Sequence, residues 1–168
     1  MQFIDTHHDQ WHTVGGEDGP MAHPPIKSHS LLTLAQWHAV RDQWPAKDAA
    51  EHKPVGVILA NDTDIEVLEA DAAKLSLVVL QFPKWTDGRA YTQARILRAR
   101  YRFGGEIRAT GDVLVDMMPL LARTGFDAVV LRADQDRAAA ERALGFFGAR
   151  GHYQGDVQQT RPVFGRAA

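Results

Sequence analysis

The chain has 168 residues, 45% of them apolar and 24% charged, with a formal net charge of −2. That length and apolar content suit a single domain with a substantial core, and the charge balance excludes a disordered polyampholyte and a globally basic nucleic-acid binder. The chain has no cysteine, which excludes disulfides, a thiolate-held iron–sulfur cluster, a cysteine zinc site and a cysteine nucleophile.

Residues 1–52 differ from the rest. They hold seven of the eight histidines and three of the four tryptophans, and seven acidic against three basic residues. The start, Met1-Gln2-Phe3-Ile4-Asp5, lacks the basic and apolar regions of a signal peptide. No apolar run reaches the ~18 residues of a membrane span, so a cytoplasmic protein with no membrane contact is expected. Gly15-Gly16-Glu17-Asp18-Gly19-Pro20 and Pro24-Pro25 punctuate the chain as turns, and residues 1–30 are expected to be an irregular segment. His7, His8 and His12 lack a defined carboxylate partner, so no metal site is expected there. Leu31 to Trp44 reads as a short strand and a helix ending before Pro45.

From Pro54 the pattern becomes alternating strands and helices. Val55 to Ala60 is a short apolar run. Thr63 and Glu66 fit a capping box, with Ile65, Leu68, Ala72 and Leu75 at helical spacing behind it. Leu77 to Phe82 is apolar on both faces, as in a covered parallel strand. Residues 88–102 read as a helix with Ala90, Ala94, Leu97 and Tyr101 on one face and Arg95, Arg98 and Arg102 on another, ended by Gly104-Gly105. Glu106 to Ala109 is a strand. Asp112 is a candidate N-cap for a helix bearing Leu114, Met117, Met118 and Leu121, which Pro119 should kink or split and Gly125 should end. Phe126 to Leu131 is another strand, and Asp134 is expected to cap a last helix to about Phe147.

This order predicts an α/β fold of βαβ repeats. The expected domain spans 31–150, with a parallel sheet of about four strands flanked by helices, either an open three-layer sheet or a half-barrel. Residues 151–168 read as an extended C-terminal tail.

Ligands of parallel sheets bind beyond the carboxyl ends of the strands. The loops expected there are 61–64, 83–89, 110–112 and 132–136. They carry Asp62, Asp64, Lys84, Trp85, Thr86, Asp87, Arg89, Thr110, Asp112, Arg132, Asp134 and Asp136. The loop 82–89 is the densest, with a cation, an indole, a hydroxyl, a carboxylate and a guanidinium leading into a helix N-terminus that favours an anion. Residues 84–108 hold seven Lys/Arg against Asp87 and Glu106, a local positive field suited to a small anion such as sulfite or phosphate, or to an acidic partner. The bland reading gives Arg95, Arg98 and Arg102 to a solvated helix face and the aspartates to helix caps. No G-x-G-x-x-G, Walker loop or G-x-S-x-G occurs, so no fingerprint for NAD, flavin or ATP is present and any cofactor is unknown.

The run FPKWTDGRAYTQARILRARY at 82–101, with GEIRATGDVLVDMM at 105–118 and RTGFDAVVLRADQD at 123–136, resembles a bacterial family called domain of unknown function 934. The resemblance covers residues 54–136, more loosely 31–150. The positions it carries over are Phe82, Pro83, Lys84, Thr86, Asp87, Gly88, Arg89, Tyr91, Gln93, Ala94 and Arg95, then Arg108, Gly111 and Asp112, then Gly125 and Phe126. Ala90 stands where the family usually has Gly, Met117 where Gln is common, and Pro119 is unusual. Members are described as oxidoreductases of sulfite reduction, encoded beside the sulfite reductase hemoprotein, so the resemblance implies a place in sulfate assimilation. A cysteine-free chain cannot itself hold the cluster that serves the siroheme, so this chain is not the reductase.

Three roles are compatible with these features. In the first, an accessory protein docks on the hemoprotein or its electron donor through the basic loop. In the second, an α/β enzyme holds a small oxyanion or phosphorylated metabolite with Lys84, Arg89 and Arg108, Asp87 or Asp112 serving as base or orienting an arginine. The third is a non-catalytic scaffold. Trp85, Thr86, Arg95 and Arg132 complete the expected anion- or partner-binding set, and the oligomeric state, a homo-oligomer included, is left open.

Overall fold

A computed structural model describes residues 1–16, 19–45 and 49–145. Its elements in order are β1 (Gln2–Phe3), β2 (His12–Thr13), β3 (Gly15–Gly16), β4 (Gly19–Pro20), β5 (Ser30–Thr33), α1 (Leu34–Val40), β6 (Val55–Leu59), β7 (Leu77–Phe82), α2 (Arg89–Ala99), β8 (Glu106–Gly111), α3 (Met118–Thr124), β9 (Ala128–Val129) and α4 (Arg137–Gly145). Seven strands form one sheet in the order β1-β9-β8-β7-β6-β5-β2. All its pairings are parallel, while β3 and β4 make a separate antiparallel hairpin. The sheet is thus wider than the four strands expected, because the first 33 residues add β1, β2 and β5.

That addition shows how the sheet is shaped. β1 lies at one edge and β2 at the other, yet only residues 4–11 join them. Seven flat strands would put the edges about 29 Å apart. Eight residues reach that far only at nearly full extension, and a turn in which the His8 N–H donates to the Asp5 carbonyl at 3.1 Å shortens them further. The sheet therefore curls into a half-barrel, and residues 4–11 cross its inner side as a strap.

The two faces carry different chemistry. Val55, Val57 and Leu59 of β6, Val78, Leu80 and Phe82 of β7, and Ile107 and Ala109 of β8 are buried in one core with Trp37 and Val40 of α1, Ala90, Ala94 and Leu97 of α2, Met118 and Leu121 of α3 and Ala140 of α4. Strand alternation turns Leu77, Val79 and Arg108 to the opposite, inner face. There Arg108, 3% exposed, bridges Asp9 of the strap and Glu106 of its own strand. Removing one partner of a buried ion pair leaves the other charge uncompensated. Arg108→Met is expected to destabilise the strap by about 3 kcal/mol and speed amide exchange of residues 4–13 by about 100-fold. Unchanged exchange would show that something else holds the strap.

Local physics explains the departures from the expected elements. Asp64, not Thr63, caps the segment after β6, its side chain accepting from the Glu66 N–H at 3.0 Å. The capped segment is a single 3-10 turn, Ile65–Leu68, yet Ile65, Leu68, Ala72 and Leu75 are all buried as their spacing required. α2 stops at Ala99, and Arg102 sits at φ 51°. The helix expected after Asp112 splits into a 3-10 turn, Val115–Met117, and α3, with Pro119 accommodated in the first turn of α3, where a missing N–H costs nothing. Gly125 ends α3 in the left-handed conformation at φ 103°. Asp136, not Asp134, receives the first N–H groups of α4, from Ala138 at 2.9 Å and Ala139 at 3.3 Å. The expected end of that helix at Phe147 and the expected tail 151–168 lie outside the described residues.

No helix among the described residues is long and apolar enough to cross a membrane.

Candidate functional site

The carboxyl ends of β7, β8 and β9 are tied together by one aspartate. Gly111 closes β8 at φ 96°, and a Cβ there would stand 2.4 Å from the Phe82 carbonyl oxygen. Only glycine takes that conformation without strain. The turn lets the Asp112 N–H donate to the Phe82 carbonyl at 2.7 Å and aims the Asp112 carboxylate sideways. One oxygen accepts the Trp85 N–H at 2.9 Å and the other accepts from Arg132 Nη1 at 2.6 Å. Arg132 donates its remaining edge to Asp134 at 2.6 and 2.7 Å. Asp112 is therefore a brace between three loops rather than a helix cap.

A second pair occupies the far side of the 83–88 loop. Arg89 grips Asp87 with two side-chain bonds, 3.0 and 2.7 Å, and its backbone N–H adds a third at 3.2 Å. These partners set the proton affinities. The Arg89 guanidinium beside Asp87 holds that carboxyl well below the usual carboxylate range. The Trp85 N–H and Arg132 lower Asp112. Arg132 brings Asp134 down to about 2.

Carboxyls lowered in this way support the folded loops fully above the unfolded value of about 4. Their contribution is lost as the pH falls from there through the folded values. The amide proton of Trp85 reports on Asp112 directly. Its NMR shift is expected to stay constant between pH 8 and 5 and to move only below about pH 4, and a midpoint at or above 4 would contradict this geometry.

The residues singled out in the sequence separate into three groups. Trp85, Asp87, Arg89, Asp112, Arg132 and Asp134 share the strand-end loops, with Lys84 and Thr86 exposed beside them. Trp85 itself is 55% exposed. Arg95 is exposed on α2, and Arg108 lies inside the half-barrel under the strap. The run of seven cations is therefore not one patch. Arg89, Arg98, Arg100 and Arg108 are held in ion pairs by Asp87, Asp127, Glu66 and the Asp9–Glu106 couple, whereas Lys84 makes no ion pair among the described residues. In the strap, His8 pairs with Asp5 at 2.7 Å.

Two buried residues near the same rim escaped the sequence reading as a pair. Asn61 follows β6, and Gln93 sits among the apolar residues of α2. A carboxamide inside the Ala90–Ala94–Leu97 stripe was the signal available for Gln93. Asn61 carried none beyond its place at a strand end. Asp9 as the partner of Arg108 was also invisible, since the two are 99 residues apart.

A curled parallel sheet with helices on one face and a braced set of loops at its carboxyl rim defines an α/β half-barrel protein. Residues 56–164 match the model of the family named domain of unknown function 934, described as a bacterial protein of unknown function. The chain belongs to that family. No protein with a curated description matches it.

Proposed function

We propose that this protein is an accessory factor of assimilatory sulfite reduction that docks on the sulfite reductase hemoprotein through its 83–86 loop. The link to sulfite reduction comes from the family resemblance in the 82–136 motifs. The docking reading is carried by one observation: the loop is braced at the Trp85 N–H by Asp112, yet the Trp85 side chain remains 55% exposed beside Lys84 and Thr86. A rigid aromatic with a cation next to it has the character of an interface anchor, and bracing the loop in advance lowers the entropy cost of binding.

The surrounding charges favour docking over turnover. Arg89 and Arg132 already hold carboxylates, which offset the positive charge they would offer an incoming anion. Asp87 and Asp112 both accept from a guanidinium and a backbone N–H, which lowers their proton affinity and occupies their oxygens. Lys84 remains to steer an acidic partner.

The test is retention of the hemoprotein on immobilised protein. The double variant Trp85→Ala, Lys84→Glu is expected to weaken binding about 30-fold, the loss of one hot spot of ~2 kcal/mol, with an unchanged thermal melt. Undiminished retention by that variant, or none by the wild type, overturns the proposal.

A further inference from the structure

We propose that the cleft between the end of β6 and the first half of α2 is a binding site for a small heteroaromatic ring presenting a lactam or imide edge, an N–H beside a C=O. The site is separate from the docking loop and does not depend on it.

The argument starts from two unanswered polar atoms. Asn61 is 6% exposed and Gln93 5% exposed. Asn61 Nδ2 and Gln93 Oε1 are both buried without a hydrogen-bond partner. An unpaired buried donor or acceptor costs about 1–3 kcal/mol, so two at one place call for an explanation. The Gln93 amide cannot simply be reversed. Its Nε2 donates to the Ala60 carbonyl at 3.1 Å and to the Thr63 carbonyl at 2.8 Å, and a flip would set its oxygen against both. The orphan is therefore an acceptor fixed in place. Asn61 supplies the matching donor; its amide lies near enough to Asp87 to favour the charged carboxylate, yet its Nδ2 completes no hydrogen bond in the folded chain.

Both residues line one cleft of about 330 Å³, with Ile65 and Ile96 as its apolar walls and Arg89 and Thr92 also on its lining. That volume suits one or two rings. The apolar walls suit the faces of a flat ring, and the Asn61 donor with the Gln93 acceptor suits an edge carrying C=O and N–H side by side. Neither orphan atom is open to water in this structure, so entry requires the cleft to widen. The side chain of Arg89, 58% exposed, forms the solvent-facing part of its lining.

The probe is 2-pyridone, which carries the N–H and C=O edge; N-methyl-2-pyridone lacks the donor. In an NMR titration of the full chain, 2-pyridone is expected to give saturable shifts at residues 61–65 and 92–93. The N-methyl compound should bind at least 10-fold more weakly. Asn61→Leu, which removes the donor to the ring C=O that both compounds carry, should weaken both and leave their ratio unchanged, and Thr92→Trp, an exposed position that fills the cleft mouth without touching the Gln93 bonds, should abolish binding. No saturable shift, equal affinity for the two probes, or binding that survives Thr92→Trp overturns the proposal and leaves a pocket for water alone.

Discussion

Alanine at Gly111 is expected to destabilise the protein by about 3 kcal/mol or more, from left-handed strain on a residue with a side chain together with a backbone clash. The new Cβ would meet the Phe82 carbonyl at 2.4 Å, and neither partner is a flexible side-chain tip. For a domain of this size that corresponds to a fall in Tm of about 6–12 °C. Relief of the clash also moves Asp112, so the Trp85 N–H loses its acceptor and the docking loop loosens. Gly104→Ala is the control. A Cβ there meets nothing within 4 Å, and its cost should stay within about 0.5 kcal/mol. Equal melts for the two variants would show that Gly111 is not held in the turn described.

The second large effect belongs to Arg98, at the other end of the sheet. Its guanidinium donates to the Gly125 carbonyl at 3.0 Å, to the Gly105 carbonyl at 2.8 Å, to the Phe103 carbonyl and to Asp127. Asp127 in turn accepts the Ile107 N–H at 2.9 Å. One side chain thereby joins the end of α2, the turn into β8 and the turn into β9. Arg98→Met should cost about 3 kcal/mol, since it takes the donor from three carbonyls and leaves the partly exposed Asp127 with only the Ile107 N–H. Arg95→Met, on the exposed side of the same helix, should change stability by no more than about 0.5 kcal/mol. Urea melts that place the two variants within error of each other would contradict these roles.

The contrast between Arg95 and Arg98 shows what the sequence could carry. Both arginines appear there as one basic helix face, and only tertiary placement separates the solvated one from the half-buried one whose guanidinium is tied down. Val55–Leu59 and Leu77–Phe82 were legible because long apolar runs state their own burial, and Gly125 was legible because a helix stop needs a left-handed residue. β1 and β2 have two residues each, too few to show a period of two, so the curl of the sheet could not be read. Asp112 had the look of a cap because local rules know only local N–H groups; its acceptor role lies 27 residues away, at Trp85. The dense 83–89 loop was found by composition. That its guanidinium is already held by its own carboxylate required coordinates, and this is what turns the reading of the loop from anion binding toward docking.

Hydrogen–deuterium exchange of the full chain, with and without the sulfite reductase hemoprotein, tests the docking role most directly. Added hemoprotein is predicted to slow exchange at residues 83–88 and the neighbouring 132–135 while leaving the outer face of α1 unchanged. Protection confined to other surfaces, or none at saturating hemoprotein, would contradict it.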